Sequence, residues 1–161
     1  MACDLTERNR DLECKEHVGG LKNVYFVNYT DTVPTMNATT RVVASVSGTK
    51  YKYELKGNSS FTQNVQASRE NGTVAYEQVL ELTLPKLTVA DHKEIKLISF
   101  GRPRVIVEDY NGNYFLVGRE HCAEVTGGTV VTGAAMGDLS GYTLTLTAME
   151  RFPANFVTSI A

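Results

Sequence analysis

The stretch SSFTQNVQASRENGTVAYEQVLELTL, Ser59 to Leu84, decides the fold, because it reads as two long strand-like arms meeting at Asn71-Gly72. A two-residue Asn-Gly connection suits the tight hairpin turn in which both central residues need positive φ. Arms of about 12 residues at roughly 3.3 Å per residue reach about 40 Å. A compact domain of this chain's length has a diameter of roughly the same 40 Å. The sequence thus predicts a hairpin as long as its own domain.

With Asn71-Gly72 as the turn, one face carries Phe61 opposite Leu82, Gln63 opposite Leu80, Val65 opposite Gln78, Ala67 opposite Tyr76 and Arg69 opposite Val74. The other pairs Thr62 with Glu81, Asn64 with Val79, Gln66 with Glu77, Ser68 with Ala75 and Glu70 with Thr73. That second face holds three carboxylates and no Lys or Arg, so it is suited to water. An isolated two-stranded hairpin is marginal in water. A neighbouring chain is the expected cover for the mixed face, which makes Phe61, Val65, Tyr76, Leu80 and Leu82 candidate subunit-interface residues. The alternative is a hairpin packed wholly on its own domain.

Outward from the hairpin the chain stays β-rich. Asn23 to Tyr29 is dense in β-branched and aromatic residues, Thr40 to Ser47 contains Val42, Val43 and Val46, and Tyr51 to Leu55 alternates Tyr and Leu with Lys and Glu. Each reads as a strand. A single helix is expected at about 89–99: Thr88 serves as N-cap with Asp91 three residues on, Ile95 and Ile98 share a face, and Gly101 and Pro103 end it. Asn111-Gly112 then predicts a second hairpin, with Val107 opposite Leu116 and Ile106 opposite Val117. Thr129 to Thr132 and a glycine-rich link, Gly133 to Gly141, lead to a strictly alternating strand. There Tyr142, Leu144, Leu146 and Ala148 lie on one side and three threonines on the other. The last apolar residues, Phe156, Val157 and Ile160, dock on the core or on a neighbour. The expected class is mainly β (α+β), an antiparallel β-sandwich or barrel with one flanking helix.

With 161 residues the chain is one domain, 21–161, preceded by a charged arm, 1–20. Sixteen basic and 18 acidic residues give a formal charge of -2, and the pI is near 5.9. Neither supplies the clustered basic patch of a nucleic-acid binder. Cys3, Cys14 and Cys122 are an odd set without a CxxC pair, which points to free thiols and a reducing compartment. No basic leader followed by an apolar run opens the chain, and no stretch approaches a membrane span, so a soluble protein without membrane contact is expected.

Catalytic and metal chemistry find little support. Cys14 and His17 have a ligand-like separation, with Cys3 upstream and His121-Cys122 far downstream, but zinc needs four converging ligands and only one pair is local. Cys122 lacks an evident base, since adjacent residues on a strand point to opposite faces. The glycines Gly127, Gly128, Gly133, Gly137 and Gly141 match neither a Walker loop nor a strand-to-helix GxGxxG. The carboxylate pairs Glu77 with Glu81 and Glu108 with Asp109 imply no pocket. Asn-x-Ser/Thr triplets at Asn28, Asn37, Asn58 and Asn71 fit a chain rich in those residues. No enzyme activity, cofactor or metal is expected.

Cys14-Lys15 followed by Val18-Gly19-Gly20-Leu21-Lys22-Asn23-Val24-Tyr25-Phe26 resembles the N-terminal pattern of short structural proteins of tailed bacteriophages, the crAss-like phages included. The likeness extends through Arg102-Pro103-Arg104-Val105, the Asp109 to Phe115 hairpin, Thr132-Gly133-Ala134-Ala135, Gly137 to Tyr142, Ala148-Met149-Glu150 and Pro153-Ala154. The resemblance implies a tail-tube-like or neck-ring virion protein, assembled in the host cytoplasm and carried in the virion. Its protomers would form a homo-oligomeric ring of about six or twelve copies, around a DNA channel and against other phage neck or tail proteins. The long hairpin would supply the inner wall, with Thr62, Asn64, Gln66, Ser68, Glu70, Glu77 and Glu81 facing the channel. A wall without Lys or Arg keeps DNA contact non-adhesive, since each basic contact to phosphate adds affinity. A capsid-attached or receptor-binding β-sandwich module is the competing expectation.

Overall fold

The structure is a computed structural model, and it describes residues 14–55 and 58–160. The predicted arm 1–20 therefore lies largely outside the described residues. In its described part, 14–20, Val18 donates its N–H to the Asn111 side chain at 3.1 Å and accepts on its carbonyl from the Asn111 amide at 2.8 Å.

Two antiparallel sheets and one helix make up the domain, so the mainly-β expectation holds. Strands β1 (Leu21–Val27), β2 (Lys50–Glu54), β5 (Arg104–Asp109), β6 (Tyr114–Val117) and β9 (Asn155–Phe156) form a five-stranded sheet in the order β2-β1-β5-β6-β9. Strands β3 (Ser60–Ser68), β4 (Thr73–Pro85), β7 (Glu124–Val131) and β8 (Gly141–Glu150) form the second, in the order β3-β4-β8-β7. Inward-facing Leu80, Leu82, Leu84, Tyr142, Leu144 and Leu146 meet Val24, Phe26, Val105, Val107 and Val117 of the opposite sheet in one core. The helix α1 (Val89–Phe100) closes an end of it through Ile95.

A second apolar cluster lies on the far side of the five-stranded sheet, where Tyr25, Val27, Ile106 and Leu116 pack against Val43, Val46 and Val157. The central strands β1 and β5 are thereby covered on both faces. That is why β5 is buried continuously from Arg104 to Glu108, with Val105, Ile106 and Val107 in sequence, while β8 alternates. Thr40 to Ser47 supplies the outer cover and is no strand. Val43 makes only isolated bridges, to Met36 and Val157. Its N–H goes to the carbonyl of Phe156 and its own carbonyl to the N–H of Thr158, while Val42 accepts from Asn37, so neighbouring residues bond to different segments and no ladder forms.

The helix follows its sequence signals closely. Thr88 Oγ1 accepts the N–H of Asp91 at 3.1 Å, and Gly101 donates its N–H to the carbonyl of Leu97 at 3.2 Å. The hairpin registers differ from expectation. In the long hairpin Phe61 faces Leu80, Gln63 faces Gln78, Val65 faces Tyr76 and Ala67 faces Val74, a shift of two residues from the Asn-Gly pairing. The turn takes in Arg69 and Glu70 as well, with Gly72 donating to the carbonyl of Arg69 and adopting φ +65. Because side chains alternate with period two, this even shift changes partners and leaves every strand residue on its expected face.

The second hairpin shifts by one residue, setting Ile106 opposite Leu116 and Val107 opposite Phe115. The cause is a longer turn. Asp109 takes the N–H groups of Asn111 and Asn113 on its Oδ1, each at 2.9 Å, and Gly112 has φ +83.

Candidate functional site

The polar face of the long hairpin is part of a larger surface. Since β4 pairs with β8 along Tyr76 to Pro85, and β8 with β7, the outward residues of four strands share one side. From β3 come Ser60, Thr62, Asn64, Gln66 and Ser68, opposite Glu81, Val79, Glu77, Ala75 and Thr73 of β4. Thr143, Thr145, Thr147 and Met149 of β8 continue the rows beside Thr83, Glu81, Val79 and Glu77. Thr129 and Glu124 of β7 stand opposite Thr143 and Thr147.

Hydroxyls dominate this face, with Glu77, Glu81 and Glu124 as its carboxylates and no Lys or Arg among its strand residues. Neighbouring strands are tied across it by side chains. Thr126 and Thr147 share a hydroxyl hydrogen bond at 3.2 Å, Thr129 pairs with Thr143, and Gln66 donates to Glu77 at 3.0 Å. Such ladders hold the hydroxyls in rows along the sheet. Sequence reading placed Thr62, Asn64, Gln66, Ser68, Glu77 and Glu81 on the polar side, where they lie. Glu70 is a correction: it sits in the turn beyond the end of the ladder. Thr143, Thr145 and Thr147 were legible as an outward row, but their junction with the hairpin needed the β4–β8 pairing.

The five candidate interface residues divide. Leu80 and Leu82 are 0% and 2% exposed inside the chain's own core, so they have no surface to offer a neighbour. Phe61 is half-buried against Phe115, the ring centroids 6.1 Å apart. Val65 and Val74, 61% and 53% exposed, and half-buried Tyr76 lie where the hairpin runs past β8, whose pairing ends at Tyr76. The inward face of this overhang borders a cleft with Met36, Arg41, Arg151 and Phe152. Both arginines lie over the Phe152 ring, at 5.3 and 4.9 Å from its centroid.

β3 and β7 are the edges of the four-stranded sheet, and among the described residues no further strand pairs with either. Beside β7, Val130 and Val89 line one cleft and are 54% and 92% exposed, and Met136 in the link that follows β7 is fully in solvent.

Of the three cysteines, Cys3 lies outside the described residues, and Cys14 and Cys122 are free thiols. Cys14 is exposed and Cys122 buried, and burial pushes the Cys122 thiol up from its ordinary range despite the nearby Arg104 and Arg102. Among the described residues, the metal-competent group is Glu120, His121 and Glu150, whose ligand atoms lie within 4.8 Å of one another. Its groups are already engaged. Glu150 Oε1 accepts the N–H groups of Glu120 and His121 at 3.2 and 2.9 Å, while Arg119 and Arg151 both bond the Glu120 carboxylate at 3.2 Å. The arrangement clamps the 119–122 loop to β8. Glu108 is likewise structural: buried, it accepts from Asn23 at 2.8 Å and from Tyr25 at 3.3 Å.

Among the described residues no helix is long and apolar enough to cross a membrane. The chain matches no family model, no curated protein and no solved structure.

Proposed function

We propose that the chain is a non-enzymatic structural subunit of a phage tail or neck, assembled head to tail into a closed ring around a DNA channel. The observation that carries the reading is the four-stranded face itself. It is broad, rich in threonine, acidic and free of basic side chains on its strands. Such a wall would not retain phosphate, so DNA beside it would slide without being held.

Its two edge strands, unpaired among the described residues, support the same reading. A strand edge presents unpaired backbone donors and acceptors, which invites pairing with another chain. Here β3 and β7 stand at opposite sides of one sheet, and each is flanked by uncovered apolar residues: Val65 and Val74 by one, Val130 and Met136 near the other. Two different surfaces that meet between copies make a heterologous interface, and rotation closes such contacts into a ring. Other neck or tail proteins would stack on the ring, in the virion.

Negative-stain microscopy and mass photometry of the purified chain, alone and with the phage neck proteins, test this. A ring with a central hole is expected. Monomers in both conditions, with no incorporation into particles, overturn it and favour a receptor-binding module. Glu77→Lys with Glu81→Lys should leave folding intact and impair genome ejection or particle assembly; unchanged infectivity would remove this face from the channel.

A further inference from the structure

A cleft lies between α1 and the β1–β2 edge, about 360 Å³ in volume, with Phe26, Tyr29, Tyr51, Tyr53, Asn28, Glu94 and Arg102 around it. Its position follows from the strand period: Phe26 pairs with Tyr51 across the ladder, and Tyr53 stands two residues on, so all three rings share one side. Phe26 and Tyr53 meet edge to face, centroids 5.2 Å apart and planes at 84°. Tyr51 stays 48% exposed. Helix α1 supplies the opposite wall through Glu94, Leu97 and Ile98.

The polar groups around these rings have unused hydrogen-bonding capacity. Among the described residues the side chains of Asn28, Tyr51, Tyr53, Glu94 and Arg102 make no hydrogen bond. Arg102 instead lies over the Tyr29 ring at 4.2 Å, which leaves its N–H edge free. Together they offer an amide, phenols, a carboxylate and a guanidinium, hence both donors and acceptors. One carboxylate and one guanidinium also leave the cleft without net charge. Aromatic walls and a few convergent polar groups are the make-up of a ligand site.

We infer that this cleft binds a neutral, hydroxyl-rich ring, a saccharide unit, with its C–H face on Tyr51 and Tyr53 and its hydroxyls on Asn28, Glu94 and Arg102. Each sugar hydroxyl is both donor and acceptor, which suits a lining of both kinds. An organic ammonium would find aromatic faces and Glu94 favourable, but Arg102 would oppose it. An anion would meet Glu94 in the same way. The site does not rest on the ring reading, since it lies on the other sheet.

A glycan array spanning neutral, acidic and amino sugars, probed with the full chain, identifies the ligand. Titration of the best neutral glycan, followed by amide chemical shifts, then measures its Kd. The expected result is a neutral glycan that shifts cleft resonances, with Tyr51→Ala weakening it by at least about tenfold at unchanged melting temperature. Glu94→Gln, on the exposed face of the helix, provides a second variant and should weaken binding several-fold. Choline and inorganic phosphate serve as charged controls. An array without a hit, a Kd unmoved by both substitutions, or choline binding in preference to every neutral glycan overturns the inference.

Discussion

Gln63 and Gln78 stand directly opposite one another on β3 and β4, the Nε2 of Gln78 donating to the Oε1 of Gln63 at 3.4 Å. The pair extends into a polar chain across the sandwich. Gln78 Oε1 accepts the N–H of Gly118 at 3.1 Å, and Gln63 Oε1 accepts the N–H of Ala154 at 2.7 Å. In the pairing suggested by Asn71-Gly72 alone, Gln78 would face Val65 and its amide, 1% exposed, would lose this partner. The observed register satisfies it.

Gln78→Leu should therefore destabilise the fold by about 2 kcal/mol, because the buried N–H of Gly118 would lose its acceptor. Urea unfolding reads this as a lower midpoint at unchanged slope. A variant as stable as the parent would mean that water replaces the amide.

Gly118 and Gly112 separate two costs. Both have positive φ, +74 and +83, but a Cβ on Gly118 would lie 2.6 Å from the carbonyl carbon of Cys122 while one on Gly112 would meet nothing. Gly112→Ala should cost about 1 kcal/mol from backbone strain alone. Gly118→Ala adds a clash with main chain that cannot move aside, and a loss of about 3 kcal/mol is expected from thermal unfolding.

The phenol of Tyr25 is pushed up to about 12, first by burial and then by the charge and hydrogen bond of Glu108. In the unfolded chain it returns to about 10. Its neutral form favours the folded state, so that contribution is fully present below the ordinary value and is lost as pH rises through the folded one. Spectrophotometric titration should show the last phenolate forming together with unfolding, and Tyr25→Phe should remove that step.

Glu150 behaves in the related way at acid pH. Burial raises its carboxyl above the ordinary range, although the N–H groups of His121 and Glu120 pull the other way. The protonated form thus favours folding, a contribution present below the ordinary carboxyl range and lost as pH rises through the raised value. Glu150→Gln keeps an acceptor for both N–H groups and removes the charge. Its melting temperature should exceed the parent's at neutral pH, and the two should converge in acid.

Local chemistry made much of this fold readable. Thr88 and Asp91 fixed the start of α1, and the alternation of Tyr142, Leu144, Leu146 and Ala148 identified β8 with its buried side. The hairpin faces were readable for the same reason, period two. What local chemistry did not contain was the choice among turns. Asn-Gly is compatible with two-, three- and four-residue connections; a cross-strand pair, Gln63 with Gln78, goes with the register of one hairpin, and short-range bonds of Asp109 to Asn111 and Asn113 with the longer turn of the other. Val42, Val43 and Val46 mimicked a strand because covering a sheet needs the same side chains as joining one. The extent of the polar face depended on β4 meeting β8, a pairing between segments some 60 residues apart in the chain.

The two-residue shift in the long hairpin also says something about how this element can change. Inserting or deleting two residues in each arm near the tip would move the turn by about 7 Å and leave the side-chain pattern of the remainder untouched. Reach is thereby a variable separate from surface character, set in steps of one pleat. A lineage could fit the same module to spans of different width without redrawing either side.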